Sequence, residues 1–276
     1  VGSEMCIRDR TKFVCPNTDV LNSIPPEKLS KEVSKILNKE DITERALGVQ
    51  WCLESDKFQL CISLKDSPIT KRGILSVISS IYDPLGISGP FILLGKKILQ
   101  KISALRDGWD SPVPIHLAKE WERWQKSIPH LQSISLPRPY KPSDFGRVVD
   151  KSLHLFSDAS EVGYGVACYL RQKDVHGRIS VSFVMGKSRV SPLKSVTIPR
   201  LELTAATVAV KLGALLKKEL QMPNISDYYW TDSKITLGYI FNQTKRFRVF
   251  VANRVQKIQA YTCLLYTSDA ADEEAS

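Results

Sequence analysis

The sequence predicts an α/β fold, with a mixed sheet and flanking helices in its C-terminal half and an α+β N-terminal region. Two observations carry this prediction. First, alternating apolar and polar residues are typical of strands at 152–158, 164–171, 179–185 and 228–231. Second, helical patterns occupy 199–220, 234–241 and 249–259, and Pro199 suits the first turn of the longest. The resulting order, β-β-β-α-β-α, favours helices packed on one sheet.

The N-terminal region has weaker patterns. They predict a helix at 30–38, a hairpin at 47–50 and 57–64, and helices at 74–82, 91–105 and 115–128. Trp121 and Trp124 lie three residues apart, so they share a helix face and are predicted to belong to a core. Residues 129–144 contain four prolines and are predicted to be a linker.

Composition excludes several classes of protein. The chain has 276 residues, 43% of them hydrophobic, which suggests about two domains, and its 25% charged content excludes wholesale disorder. The absence of a long apolar run predicts no membrane helix, and the absence of a secretory leader predicts an intracellular location, a cytoplasmic particle or the nucleus. Six cysteines without a CxxC pair argue against zinc ribbons, and the lack of a Gly-rich phosphate loop predicts no small-molecule cofactor.

Both ends of the chain resemble translated sequencing-library adaptor. The segments MCIRDR (5–10) and CLLYTS (263–268) can be back-translated into reverse complements of one another. We therefore predict that residues 1–10 and 263–276 are artefacts and that the chain is a fragment. The net charge is +10, and leaving out the four acids of the tail raises it to +14 for residues 11–262. This basic excess favours a polyanionic partner, although a solvated basic face would explain it too.

Three carboxylates stand at the ends of predicted elements: Asp158 at the end of the first strand, Glu202 in the first turn of the long helix, and Asp232 at the end of the fourth strand. If the two strands are neighbours, the aspartates meet at one sheet end. Small residues at 206, 209 and 213 let the helix approach the sheet and bring Glu202 towards them. Such a cluster of oxygen ligands suits two Mg²⁺ or Mn²⁺ ions, which can drive phosphodiester hydrolysis. Taken singly, each acid is more often a turn former, a cap or a partner of the helix dipole.

These motifs resemble the ribonuclease H domain of retroelement reverse transcriptases over residues 152–258. The matching segments are FSDAS (156–160) followed by YG (164–165), IPRLEL (198–203) and WTDS (230–233). A further set resembles BEL/Pao long-terminal-repeat retrotransposons: GVQW (48–51), TKR (70–72), DPLG (83–86), KSRVSPLK (187–194) and FVANRV (250–255).

The resemblance implies a fold, a domain order and a site. Residues 11–145 would hold the end of the reverse transcriptase palm, the thumb and the connection. Residues 150–262 would form a ribonuclease H-like domain, truncated at its C-terminus. Asp158, Glu202 and Asp232 would be the catalytic, metal-binding acids. The implied activity is endonucleolytic hydrolysis of RNA in RNA–DNA hybrids, with the hybrid and the rest of the Pol polyprotein as partners.

Several family features are missing. No acid lies between Asp232 and Thr262 to act as the fourth carboxylate of such sites, and no Tyr-x-Asp-Asp polymerase motif occurs. A protease label sometimes attaches to this region in Pao elements, but the chain contains no Asp-Thr-Gly or Asp-Ser-Gly. The alternative hypotheses are a catalytically inactive nucleic-acid-binding remnant and a host protein that has adopted the fold.

Basic residues of the C-terminal half are candidate contacts for a phosphate backbone: Lys187, Arg189, Lys194, Lys245, Arg246 and Arg248. For any one of them an ordinary solvated surface position is at least as good an explanation. The aromatic residues Tyr228, Tyr229 and Trp230 are predicted to be core strand residues, and His154 and His176 to be structural residues without partners.

Overall fold

A computed structural model describes residues 20, 23–25, 43–46, 49–52, 55–62, 64, 66–242, 244 and 246–262. The helix predicted at 30–38 and both adaptor-like ends lie outside these residues. The chain divides into two compact units. The first draws on residues within 1–65, 79–84 and 125–139, and the second on the remainder. No helix among the described residues is both long and apolar enough to cross a membrane. The predicted domain boundary near 145–150 stays a prediction.

The first unit contains a four-stranded antiparallel sheet. Its strands are β1 (Thr43–Ala46), β2 (Val49–Cys52), β3 (Lys57–Leu60) and β4 (Ser135–Pro137), paired in that order. The predicted hairpin is confirmed as β2 and β3, which pair antiparallel. Trp51 at its centre donates from its indole N–H to Asp56 Oδ1 at 2.8 Å, and the Arg138 guanidinium lies over the Trp51 ring. Arg138, hydrogen-bonded to Asp56, holds the pKa of that carboxyl below its usual value.

The linker predicted at 129–144 is wrong over its first part. A 3₁₀ helix spans Ile128–Ser133, and β4 then pairs with β3 so that Leu136 lies opposite Phe58. The prolines do not prevent this pairing, because β4 is the edge of the sheet and Pro137 needs no ladder hydrogen bond on its outer side.

Three helices follow the β2–β3 hairpin along the chain. They are α1 (Lys71–Ser80), α2 (Gly89–Ala104) and α3 (Ile115–Ser127), and they confirm the three helices predicted here. Trp121 and Trp124 of α3 are 2% and 6% exposed, so their prediction as core residues is confirmed. The Trp124 indole N–H donates to the Phe91 carbonyl oxygen at 3.0 Å, and the two rings stack 5.1 Å apart.

Replacing Gly95 with alanine is expected to destabilise the protein by roughly 1–3 kcal/mol, the usual cost of overpacking a core. A Cβ at Gly95 would lie 2.5 Å from the Trp124 ring, so helix α2 would have to move. Urea unfolding followed by tryptophan fluorescence measures the change. The control is Gly238→Ala in a later helix, where a Cβ meets nothing within 4 Å. That substitution should be neutral or slightly stabilising. Equal losses in both variants would contradict the packing argument.

The second unit contains a mixed four-stranded sheet. Its strands are β5 (Val148–Ala159), β6 (Gly163–Asp174), β7 (Ile179–Val190) and β8 (Ser226–Trp230), in the order β7-β6-β5-β8. The first three are antiparallel neighbours, and β8 runs parallel to β5. The helices are α4 (Ile198–Glu219), α5 (Lys234–Ile240) and α6 (Val249–Thr262). The predicted α/β class and element order are confirmed.

Helix α4 packs closely on one face of this sheet. Two of its three predicted small residues meet the sheet: Ala209 is 1% exposed, and a Cβ at Gly213 would lie 2.3 Å from the Tyr229 hydroxyl. The third, Ala206, belongs to the apolar cluster that α4 forms with α6. The core beneath α4 includes Leu153, Leu155, Cys168 and Leu170, all fully buried. Burial raises the pKa of the Cys168 thiol to about 12, which keeps it protonated. Helix α6 packs against α4 through a second apolar cluster, which includes Val210 and Val255.

A segment preceding the sheet covers the edge of β7. The Gly186 N–H donates to the Leu85 carbonyl oxygen at 2.7 Å, and the Ser188 hydroxyl donates to the Gly89 carbonyl oxygen at 2.9 Å. Further along α2, the Gln100 amide donates to the Ser191 carbonyl oxygen at 2.7 Å. An unpaired strand edge invites association with other chains, so residues 85–104 protect this sheet.

Candidate functional site

Asp158 and Asp232 lie at the same end of two adjacent strands. Strands β5 and β8 are parallel, and Phe156 is paired with Trp230 at the end of their shared ladder. Each aspartate follows its member of that pair by two residues, so the register brings both to one end of the sheet. The Ser157 hydroxyl fixes this end by donating to the Trp230 carbonyl oxygen at 3.2 Å.

Glu202, predicted in the first turn of the long helix, is the fifth residue of α4 and reaches the same region from there. Its Oε2 accepts a hydrogen bond of 2.5 Å from the hydroxyl of Ser233, the residue that follows Asp232. The Ser233 oxygen in turn accepts from the Thr236 N–H at 3.1 Å and so caps α5. One hydroxyl therefore connects the helix that carries Glu202 to the turn that carries Asp232. The role of Ser233 was not predicted, although a serine just before a helix is typical of an N-cap.

The three carboxylates lie near one end of the sheet, but their side chains do not converge on a common metal-binding position. Among the described side chains, no group of three or more His, Cys, Asp or Glu residues could hold a metal ion. Asp158 and Asp232 are exposed, and Asp158 Oδ1 accepts from the N–H of the next residue at 2.6 Å. Neither aspartate forms an ion pair with a described cation. Exposed carboxylate oxygens of this kind are the donor set that Mg²⁺ or Mn²⁺ prefers.

The aromatic residues of β8 differ from their prediction. Tyr228 and Trp230 are 50% and 49% exposed, so their assignment to the core is wrong, whereas Tyr229 packs against the core under α4. The cause is that only one face of the sheet is covered by α4, and alternate residues of β8 point to the other face. His154 also has partners on that face: its Nδ1 accepts from the Trp230 indole N–H at 3.2 Å, and its ring stacks on Tyr228.

The predicted phosphate contacts lie at two separate places in the chain. Lys187 and Arg189 are exposed on β7, and Lys194 is exposed in the loop after it. Arg246 and Arg248 are exposed between α5 and α6, and Lys245 lies outside the described residues. Their exposure permits contact with a ligand, and their role stays a prediction.

An apolar cleft of about 300 Å³ lies beside the free edge of β8. Its walls come from α4, β8, α5 and α6 and include Ala206, Val210, Tyr229 and Ile258. None of the three candidate acids lines it, although Ser157 and Thr231, the chain neighbours of Asp158 and Asp232, do.

Comparison with solved structures gives a distant likeness. A chain from "Structure of the foamy viral protease-reverse transcriptase in complex with dsDNA" is 12% identical, with a TM-score of 0.23. The match covers 79% of the present chain and 43% of that chain, so the present chain spans less than half of the foamy viral protein. No curated protein matched the sequence.

Comparison with protein families gives a more specific result. The model of the Pao retrotransposon-like RNaseH-like domain matches residues 70–233, which is more than half of the chain and includes all three candidate acids. Domains of the ribonuclease H-like class generally depend on divalent metal ions. The mixed sheet and its helices agree with such a fold, and the retrotransposon resemblance of the sequence is confirmed. The chain therefore belongs to the Pao retrotransposon RNaseH-like family.

Proposed function

We propose that the chain is a Pol fragment whose RNaseH-like domain hydrolyses the RNA strand of RNA–DNA hybrids endonucleolytically during reverse transcription. Asp158, Glu202 and Asp232 would hold two Mg²⁺ or Mn²⁺ ions. Bound there, such ions activate water and stabilise the leaving oxygen. The partners are the hybrid and the rest of the Pol polyprotein, and the exposed basic residues of the unit would position the hybrid by its phosphates.

One observation carries this proposal: the parallel register of β5 and β8. It brings Asp158 and Asp232 to a common sheet end, and the Glu202–Ser233 hydrogen bond brings the third carboxylate beside them. The two aspartates are exposed, so a phosphodiester could approach them. The chain's own contribution is to fix the two strand ends and the N-terminal part of α4, and rotation of the acidic side chains would bring their oxygens together.

Replacing Asp158 or Asp232 with asparagine is expected to lower hybrid cleavage by roughly 100-fold or more. Losing one metal ligand removes several kcal/mol of charge stabilisation from the transition state. Each 1.36 kcal/mol added to the activation free energy slows the reaction tenfold. The measurement is cleavage of an end-labelled RNA–DNA hybrid by the 276-residue chain in Mg²⁺ or Mn²⁺. The control is Asp150→Asn, which removes an exposed acid of the same strand, paired with Arg171. Unchanged cleavage by Asp158→Asn would sink the assignment.

The second candidate function is a nucleic-acid-binding remnant without catalysis. The observation that favours it is the lack of a converged metal-binding group among the described side chains. The same assay separates the two: a remnant binds the hybrid in EDTA, as fluorescence anisotropy reports, yet leaves it uncut in both metals. Cleavage that disappears with Asp158→Asn identifies the enzyme.

A further inference from the structure

Two arginines from different helices lie over one aromatic ring. Arg254 of α6 stands 3.5 Å from the ring centroid of Phe250, and Arg200 in the first turn of α4 stands 5.4 Å from it. The Thr204 hydroxyl lies between the two residues: it donates to the backbone carbonyl oxygen of Arg200 at 2.7 Å and accepts from Arg254 Nε at 3.0 Å. Arg254 also donates from Nη1 to the Phe250 carbonyl oxygen at 3.0 Å. We call these four residues the arginine pair site.

The charges of this site have no counterion in the described part of the chain. Other arginines of the protein are ion-paired with carboxylates: Arg72, Arg138, Arg171 and Arg178. Arg200 and Arg254 form no such pair, although both are half-buried. Burial lowers the pKa of the Arg254 guanidinium, because its charge is partly removed from water without a carboxylate to compensate it. A bound anion would supply that compensation.

The geometry also suits one kind of anion. A guanidinium presents its N–H groups as a planar fork that matches the oxygens of a phosphate. Here Thr204 and Phe250 already hold the Arg254 guanidinium, and the Phe250 ring contacts that of Arg200, so less side-chain freedom is lost on binding. The segment just before α6 adds two exposed cations, Arg246 and Arg248.

We propose that the arginine pair site binds a phosphodiester group of the nucleic-acid backbone and positions the hybrid on the domain. This inference deepens the proposed function and rests on it for the identity of the anion. Arg200 precedes Glu202 by two residues on α4, so the two side chains leave the helix roughly 200° apart. The phosphate held by the arginines is therefore a different one from the phosphate at the acids.

The test is binding of a fluorescein-labelled RNA–DNA hybrid to the full chain in EDTA, measured by anisotropy over a range of salt concentrations. Arg254→Gln and Arg200→Gln should each weaken binding about tenfold and reduce the slope of log K against log salt by about one. The matched control is Lys257→Gln, which removes one exposed charge from the same helix α6 and should change both quantities less. Arg254→Lys, which keeps the charge without the fork, should recover only part of the affinity.

A structural role for Arg254 gives a different result. If it serves only to fasten α6 to α4, Arg254→Gln lowers the melting temperature while the salt slope equals that of Lys257→Gln, and the proposal is overturned. Arg200→Gln keeps the test decisive if Arg254→Gln fails to fold, because the side chain of Arg200 contacts the Phe250 ring alone among the described interactions. Binding in EDTA is independent of cleavage. If the arginine variants change the salt slope but the chain does not cleave the hybrid in Mg²⁺, the proposed function is rejected and the arginine pair site stands. If cleavage depends on Asp158 but the arginine variants leave the salt slope unchanged, the proposed function stands and the arginine pair site is rejected.

Discussion

Replacing Gly86 with alanine is expected to release residues 85–104 from the edge of β7 and to destabilise the second unit by roughly 2–5 kcal/mol. Gly86 has a φ of +75°, a region that costs other residues about 1–2 kcal/mol. A Cβ there would also lie 2.1 Å from the carbonyl oxygen of Gly186, which is backbone and cannot rotate away. Relieving such a contact adds about 1–3 kcal/mol.

Gly177→Ala separates these two causes. Gly177 has nearly the same backbone angle, a φ of +79°, but a Cβ at that position meets nothing within 4 Å. It should therefore show the conformational cost alone. Thermal unfolding measures both variants, and hydrogen exchange at the Gly186 amide reports the bond to Leu85 directly. If the two variants lose equal stability and the Gly186 amide stays protected, the contact between residue 86 and β7 contributes nothing.

The sequence predicted the elements of the second unit well because their patterns are long. Strands β5, β6 and β7 each have 12 residues, and α4 has 22, so the period of the apolar residues is unambiguous. The three-residue strand β4 has no such period, and the four prolines of residues 129–144 indicated a linker. Pairing with β3 determined its structure, and that pairing is a tertiary contact. The same holds for Tyr228 and Trp230, whose exposure depends on which sheet face a helix covers.

The position of the candidate site in the fold could be predicted from the sequence, but the contacts between its side chains could not. The acids were predicted at strand ends or near the start of a helix, so their placement at one sheet end follows from the element order once β5 and β8 are neighbours. The hydrogen bond from Ser233 to Glu202 could not be predicted, because it depends on the separation of α4 and the turn before α5. The arginine pair site was missed for a similar reason: 54 residues separate Arg200 from Arg254, and only the packing of α6 on α4 brings them to one ring.

Replacing Asp174 with asparagine is expected to reduce the dependence of stability on pH in the acid range. Asp174 is 1% exposed at the end of β6 and accepts four hydrogen bonds. Arg178 donates from Nε at 2.7 Å and from its backbone N–H at 2.9 Å, and the backbone N–H groups of His176 and Gly146 donate at 2.9 and 3.2 Å. Burial by itself raises the pKa of Asp174, but Arg178 and these backbone donors outweigh it and lower the pKa to about 2.

The direction of the pH effect follows from the two protonation states. The ordinary pKa of the carboxyl is 3.8, so the unfolded chain takes up a proton before the folded protein does. The stabilisation by charged Asp174 is therefore complete above about pH 4 and is lost as the pH falls towards 2. Melting temperatures measured across that interval should fall steeply for the unaltered chain. Asp174→Asn should start from a lower melting temperature and show a flatter profile, because asparagine has no charge to lose and its amide cannot accept all four hydrogen bonds.

The control for this prediction shares the same arginine. Asp144 pairs with Arg178 at 3.3 Å, but its side chain is 79% exposed, and ion pairs at such positions contribute little. Asp144→Asn should therefore keep the steep acid profile of the unaltered chain. A flat profile for Asp144→Asn, or a steep one for Asp174→Asn, would show that the acid sensitivity arises elsewhere. The buried carboxylate would then fasten the β6–β7 turn by geometry, with its charge playing no measurable part.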